Sequence, residues 1–150
     1  MSSVKSKKGL KYDDVDWHVG GDFPEDLDVQ AARTHIGLFF AWAVTRGLES
    51  EMLRCLYADT LEAVRNGTLK GSSALAQCCD DKLTNEDLSD LGNSFAKAYY
   101  EANYLDDYVD VSDDNLASIY HEPDTQEKLK LICDLLDKRY CEWKAKNNIN

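Results

Sequence analysis

The sequence predicts an all-α protein, a single-domain bundle of about four main helices with an ordered N-terminal coil. Apolar residues recur at spacings of three and four in several stretches, as on the buried face of a helix. No stretch alternates polar and apolar residues for long enough to indicate a strand. The 150 residues are the length of one domain. We therefore expect a flexible basic arm at residues 1–11 and a single helical domain at residues 12–150.

The predicted N-terminal coil covers residues 12–27, YDDVDWHVGGDFPEDL. It has no helical period, and the pairs Gly20-Gly21 and Phe23-Pro24 interrupt regular structure. We expect it to be ordered because it carries apolar side chains that can anchor it to the core. These are Trp17, Val19, Phe23 and Leu27.

The most apolar run of the chain, IGLFFAWAV at residues 36–44, predicts the centre of the fold. A helix without a polar face must be buried on several sides. We place this central helix at about residues 29–46, since Asp28 is a suitable N-cap and Gly47 a suitable end.

The remaining helices are predicted from their apolar periods and from the capping residues before them. We expect a second helix at residues 51–66, a short helix at 73–79, a third long helix at 84–105 and a last helix after Asp124. Ser50 caps the second helix, and Thr84 with Asp87 forms a capping-box-like start of the third. Residues 106–124 are predicted to be irregular and acidic.

Two long tracts of the chain contain acids but no Lys or Arg, and the net charge is −11. One tract lies between Lys11 and Arg33, and the other lies between Lys97 and Lys128. Phosphate contacts need basic side chains, so we expect no nucleic-acid partner. A basic protein partner is favoured, because complementary charge speeds encounter and sets register. Plain solubility is the alternative explanation of the acidity.

Tyrosines alternate with aspartates between Tyr99 and Tyr120, which is typical of a recognition surface. The alternative is that these tyrosines pack the ends of the core. The candidate partner-binding residues are Asp106, Asp107, Tyr108, Asp110, Asp113 and Asp114, with Asp13, Asp14 and Asp16 as a second set.

Motifs for catalysis or metal binding are missing from the sequence. It has no CxxC, HxH or HExxH spacing, and its five cysteines suggest reduced thiols in the cytoplasm. We therefore expect no metal and no cofactor. The alternative is a pocket between the N-terminal coil and the central helix, formed by Trp17, His18, Asp22 and His35. Structural roles for these two histidines compete with that interpretation.

Several segments resemble a family of small, uncharacterised bacterial cytoplasmic proteins. They are WHVGGDFP at Trp17–Pro24, THIGLFFAW at Thr34–Trp42, CDDKLTNEDLSDLGNSFAKAYY at Cys79–Tyr100, YLDDY at Tyr104–Tyr108 and SIYHEPDTQEKL at Ser118–Leu129. Members of this family are similar to the single-domain immunity proteins carried beside secreted antibacterial toxins. The resemblance implies a protein with no assigned enzymatic activity.

The expected function is that of a non-enzymatic, cytoplasmic immunity protein. It would neutralise a basic toxin domain of a contact-dependent or type VI system through an acidic and aromatic surface. The alternatives are a small-ligand-binding protein or enzyme that uses the histidine pocket, and an adaptor or structural subunit. No apolar run approaches the roughly 20 residues that span a bilayer, so no membrane partner is expected. We expect a monomer or a weak homodimer.

Overall fold

The computed structural model describes residues 10–149, which are mostly helical and include a two-stranded sheet. In chain order the elements are β1 (Lys11–Asp14), α1 (Val15–Val19), α2 (Thr34–Thr45), α3 (Glu51–Leu56), α4 (Ala58–Arg65), α5 (Gly71–Cys79), β2 (Lys82–Thr84), α6 (Asp90–Tyr99), α7 (Leu105–Asp110) and α8 (Gln126–Lys146). Short 3₁₀ helices cover Val29–Arg33, Asn85–Asp87 and Ile119–His121, and a π-helical turn covers Tyr100–Tyr104. Most of the predicted basic arm, residues 1–9, lies outside the described residues. Its last residue, Lys11, belongs to β1.

Helix α2 lies at the centre of the fold, as the sequence predicts. Every residue from Thr34 to Val44 is buried, and the helix packs against α4, α5 and α8. The contact with α5 is a backbone approach, because a Cβ atom on Gly37 would collide with the main chain of Ser72. This close approach explains why glycine lies within the most apolar run of the chain.

The predicted helix starts are partly confirmed. Asp28 and Ser50 each accept a hydrogen bond from a backbone N–H two or three residues later. Asp28 starts the 3₁₀ helix, however, and α2 begins only at Thr34. The last helix is capped by Thr125 and not by the predicted Asp124.

Two predicted long helices are shorter in the structure. The second is interrupted at Tyr57, whose backbone is not helical (φ −132°, ψ 36°), and is therefore divided into α3 and α4. The third begins at Asp90, since the capping box of Thr84 and Asp87 serves only a 3₁₀ turn. Helix α6 continues through the π-helical turn into α7. The first residues of the segment 106–124, which is predicted to be irregular, are therefore helical.

The prediction of no strand is wrong. Strands β1 and β2 form an antiparallel pair with Asp13 opposite Leu83. They are four and three residues long, too short for a polar–apolar alternation to be recognised. The predicted coil also contains a helical turn, α1, whose N-cap Asp14 accepts from the N–H of Asp16. Within the described range, no helix is long and apolar enough to cross a membrane.

Candidate functional site

Three side chains from the first three elements converge on one point: Asp13 in β1, His18 in α1 and His35 in the first turn of α2. His18 Nε2 lies 2.7 Å from Asp13 Oδ1 and 3.2 Å from His35 Nε2. His35 Nε2 lies 3.5 Å from Asp13 Oδ2. We call these three residues the His–Asp cluster.

The N-terminal segment positions two members of the cluster. Pairing with β2 fixes Asp13, and the Val15 N–H donates to the Asp81 carbonyl (3.0 Å) at the start of α1. Val15 is itself buried, which holds α1 against the core and directs His18 toward His35. The third member, His35, is held by the buried helix α2.

Tyrosine hydroxyls surround the cluster. Tyr100 donates to Asp13 Oδ2 at 2.6 Å, and Tyr104 donates to the carbonyl oxygen of His35 at 2.6 Å. The hydroxyl of Tyr120 lies 2.7 Å from His18 Nδ1. These contacts come from residues 69 or more positions away from their partners, so the cluster exists only in the folded chain.

The protonation states follow from burial and from these bonds. Burial would raise the pKa of the Asp13 carboxyl, but its contacts with His18, His35 and the Tyr100 hydroxyl outweigh this and hold the pKa well below the usual range. Burial lowers the pKa of His35 despite the attraction of the Asp13 charge. Near pH 7 the cluster therefore contains an ionised carboxylate beside a neutral imidazole.

A cleft of about 130 Å³ opens onto the cluster. Its walls are Tyr12, Asp13, His18, His35, Tyr100, Glu101, Tyr104 and Leu105. Glu101 and Leu105 are exposed at its rim, which places the cleft beside the start of α7. The residues that can hold a metal ion or a small polar ligand here are the three members of the His–Asp cluster.

Only part of the predicted histidine pocket meets in space. The rings of His18 and His35 contact each other with centroids 4.5 Å apart. Trp17 is 54% exposed and lies under the ammonium group of Lys11, and Asp22 is exposed after the Gly21 turn. The third histidine, His121, lies apart from the cluster and contacts Asp26 at 3.0 Å.

The predicted partner-binding set also divides by burial. Four of its members are buried and are not available for contact with a partner: Asp13, Asp14, Asp107 and Tyr108. Asp13 belongs to the cluster, and Asp14 caps α1. Asp107 accepts two bonds from the Arg139 guanidinium (2.9 and 3.1 Å), and Tyr108 is fully buried. The tyrosines of this region therefore pack the core, as the alternative interpretation predicts.

The other members of that set are all exposed: Asp16, Asp106, Asp110, Asp113 and Asp114. Asp106 and Asp110 lie on α7, and Asp113 and Asp114 lie just after it. The side chains of Leu105 and Val109 on α7 are also exposed, at 44% and 46%. We call this surface the acidic face and define it as Glu101, Leu105, Asp106, Val109, Asp110, Asp113 and Asp114. It continues into a shallow concavity of about 160 Å³ lined by Val109, Asp113, Asp114 and Leu116, among others.

Three residues of the site, Asp13, Tyr100 and Tyr120, are not among those predicted for the histidine pocket. Asp13 lies in an acidic tract, which indicates a solvated surface, and its burial depends on contacts made by distant residues. The only local signal is that His18 follows Asp13 by five residues in a segment rich in anchoring side chains.

The family described as a domain of unknown function (DUF7832) has a model that matches residues 11–122. The chain belongs to this family. The matched residues include the whole His–Asp cluster and α7, whereas α8 lies beyond them. No curated protein and no solved structure matches the chain. The family assignment agrees with the resemblance to an uncharacterised family and carries no activity with it.

Proposed function

We propose that the protein is a non-enzymatic immunity protein that binds and neutralises a cognate antibacterial toxin domain through the acidic face. The observation that supports this proposal is the composition of α7. Its exposed side chains are acids interleaved with Leu105 and Val109, a pair four residues apart on one side of the helix. Contact-dependent and type VI systems are the expected sources of such a toxin.

The charges on this helix are not neutralised equally. Asp107 is paired with Arg139, whereas Asp106 and Asp110 form no ion pair with any residue in the range 10–149. Acids that residues 10–149 leave unpaired repel one another, and basic side chains of a partner relieve that repulsion. This asymmetry favours a basic binding partner over a neutral one.

The concavity beside α7 suits a long basic side chain. Val109 and Leu116 provide apolar walls for an aliphatic stem, and Asp113 and Asp114 provide carboxylates for its charged end. Lysine and arginine have this combination of an apolar stem and a cationic head. We therefore expect the partner to insert a lysine or arginine here, while Leu105 packs at the centre of the contact.

The test compares three forms of the tagged protein as baits in a lysate of the native host at low salt. They are the wild type, the face variant Asp106→Lys/Asp110→Lys, and the control variant Asp59→Lys/Glu62→Lys. The control changes the charge equally at two exposed acids three residues apart on α4. We expect the wild type and the control to capture the same basic protein. The face variant should bind that protein with at least a ~10-fold weaker affinity, a loss of about 1.4 kcal/mol in binding free energy.

Identification of that protein must then be followed by a toxicity test. Its expression alone should arrest a bacterial host, and co-expression of the wild-type chain should restore growth. A partner that is harmless on its own would contradict the immunity function. Equal affinity of the face variant and the wild type would contradict the role of the acidic face.

The second candidate function is that of a small-ligand-binding protein or enzyme, and the His–Asp cluster at the floor of its cleft supports it. Its test is nuclear magnetic resonance of the His18 and His35 imidazoles during titration with nucleotides, small carboxylates and metal ions. A ligand of the cleft shifts these two rings and leaves His121 unchanged. Shifts at His121 alone would contradict this candidate.

A further inference from the structure

The donor atoms of the His–Asp cluster have the chemistry and the spacing of a metal site. Two imidazole nitrogens and a carboxylate oxygen are ligands that divalent first-row transition ions share. Around an ion with bonds of about 2.1 Å, neighbouring donors lie about 3.0 to 3.4 Å apart. The two Nε2 atoms lie 3.2 Å apart, which is within that range. The Asp13 carboxylate lies beside both of them, with Oδ1 2.7 Å from His18 Nε2 and Oδ2 3.5 Å from His35 Nε2.

Hydrogen bonds alone satisfy this arrangement poorly. If His18 Nε2 carries a proton and donates it to Asp13 Oδ1, the same nitrogen faces His35 Nε2 at 3.2 Å. His35 must then share that proton or donate to Asp13 across 3.5 Å, which is beyond a good hydrogen bond. A cation at the centre of the three groups satisfies all of them at once.

The surrounding contacts are those that support metal ligands. A ligating histidine usually donates its other ring N–H to an oxygen, which fixes the tautomer and the ring. With Nε2 of His18 facing the ion, Nδ1 carries the proton and donates to the Tyr120 hydroxyl at 2.7 Å. The Asp13 carboxylate is held in turn by the Tyr100 hydroxyl (2.6 Å) and by the backbone N–H of Asp14 (2.8 Å).

We infer that Asp13, His18 and His35 bind one divalent transition-metal ion through a carboxylate oxygen and two Nε2 atoms. The inference rests on the second candidate function and is independent of the first. All three residues line the cleft of about 130 Å³. Since a water molecule takes up about 30 Å³, the ion keeps at least one coordination position for water or a small anion. A site of three protein ligands with an open position is typical of functional rather than structural metal sites.

The experiment is a titration of the full chain with Zn²⁺ by isothermal calorimetry, after chelator treatment, with Co²⁺ absorption as a second measurement. We expect one ion per chain, a Co²⁺ spectrum characteristic of nitrogen and oxygen ligands, and a rise in the melting temperature on binding. His18→Gln and His35→Gln should each weaken binding by at least ~100-fold. His121→Gln is the matched control, because it removes the one histidine outside the cluster, and should bind as the wild type does.

Two further variants keep the inference open to refutation. His35 is buried, so His35→Gln can fail to fold, which a lost circular dichroism signal would show. In that event His18→Gln remains the informative variant, because His18 is partly exposed. Cys55→Ser/Cys141→Ser removes the two exposed thiols that also attract Zn²⁺ and should leave binding unchanged. No uptake by the wild type, or uptake lost with the thiols but not with His18, would overturn the inference. If Zn²⁺ fails but another ligand shifts the His18 and His35 resonances, the metal site is refuted and the ligand-binding function is not.

Discussion

The buried hydroxyl of Tyr108 provides a direct test of how this region is built. Tyr108 is fully buried, and its hydroxyl has no hydrogen-bond partner among the described residues. Tyr104, one helical turn earlier, donates its hydroxyl to the His35 carbonyl at 2.6 Å. Replacement of either tyrosine with phenylalanine removes the same atom from a buried site, so the two variants differ mainly in that hydrogen bond.

The two variants should change stability in opposite directions. An unsatisfied buried polar group costs about 1–3 kcal/mol, and a satisfied hydrogen bond contributes about 1 kcal/mol. Tyr108→Phe should therefore raise the free energy of unfolding by about 1 kcal/mol, since the contact of the ring with the Lys128 ammonium at 4.7 Å remains. Tyr104→Phe should lower it by about 1 kcal/mol.

Urea denaturation followed by circular dichroism measures both changes. Thermal denaturation provides a second measurement. For a chain of this size, a change of 1 kcal/mol in the free energy of unfolding corresponds to a shift of about 2–4 °C in the melting temperature. If Tyr108→Phe destabilises the protein as much as Tyr104→Phe does, the Tyr108 hydroxyl has a partner and our description of this core is incorrect. Neither variant should change the affinity for the protein partner, because neither side chain belongs to the acidic face.

Two further predictions concern the core and its pH dependence. Gly37→Ala should lower the free energy of unfolding by about 3 kcal/mol or more in thermal denaturation, because the new Cβ atom collides with the Ser72 backbone. Gly21→Ala should change it little, because the new Cβ atom makes only ordinary van der Waals contacts at 3.6 Å or more. Burial raises the pKa of Asp87 from 3.8 to about 6, so the folded wild type loses stability as pH rises through this window. An amide at this position does not titrate, so Asp87→Asn should gain about 2 kcal/mol over the wild type between pH 4 and pH 7 in parallel urea titrations. A difference that is constant with pH, or equal tolerance of both alanine substitutions, would contradict these two explanations.

The parts of the fold that local sequence determines were predictable. The apolar run of α2 has no polar face, and Asp28 and Ser50 act as caps through bonds to residues two or three positions away. The strands were missed because β1 and β2 are short and gain stability from each other across about 70 residues. The interruption at Tyr57 is likewise absent from the apolar period, which continues through it.

The site was less predictable because burial of charge depends on distant partners. His18 and His35 were expected in one pocket, but Asp13 was assigned to a solvated surface. Its hydrogen bond from Tyr100 joins residues 87 positions apart, and no local pattern indicates it. Asp107 is a second buried acid of this kind, because its charge is compensated by Arg139, which lies in α8.

Growth of a surrogate bacterial host tests the central proposal most directly. Cells that express the captured partner alone should stop growing, and co-expression of the wild-type chain or of Asp59→Lys/Glu62→Lys should restore growth. Co-expression of Asp106→Lys/Asp110→Lys at the same level should fail to restore it, because two exposed acids of the acidic face have become basic. Growth restored equally by the face variant, or no arrest by the partner alone, would contradict the proposal that this face neutralises a toxin.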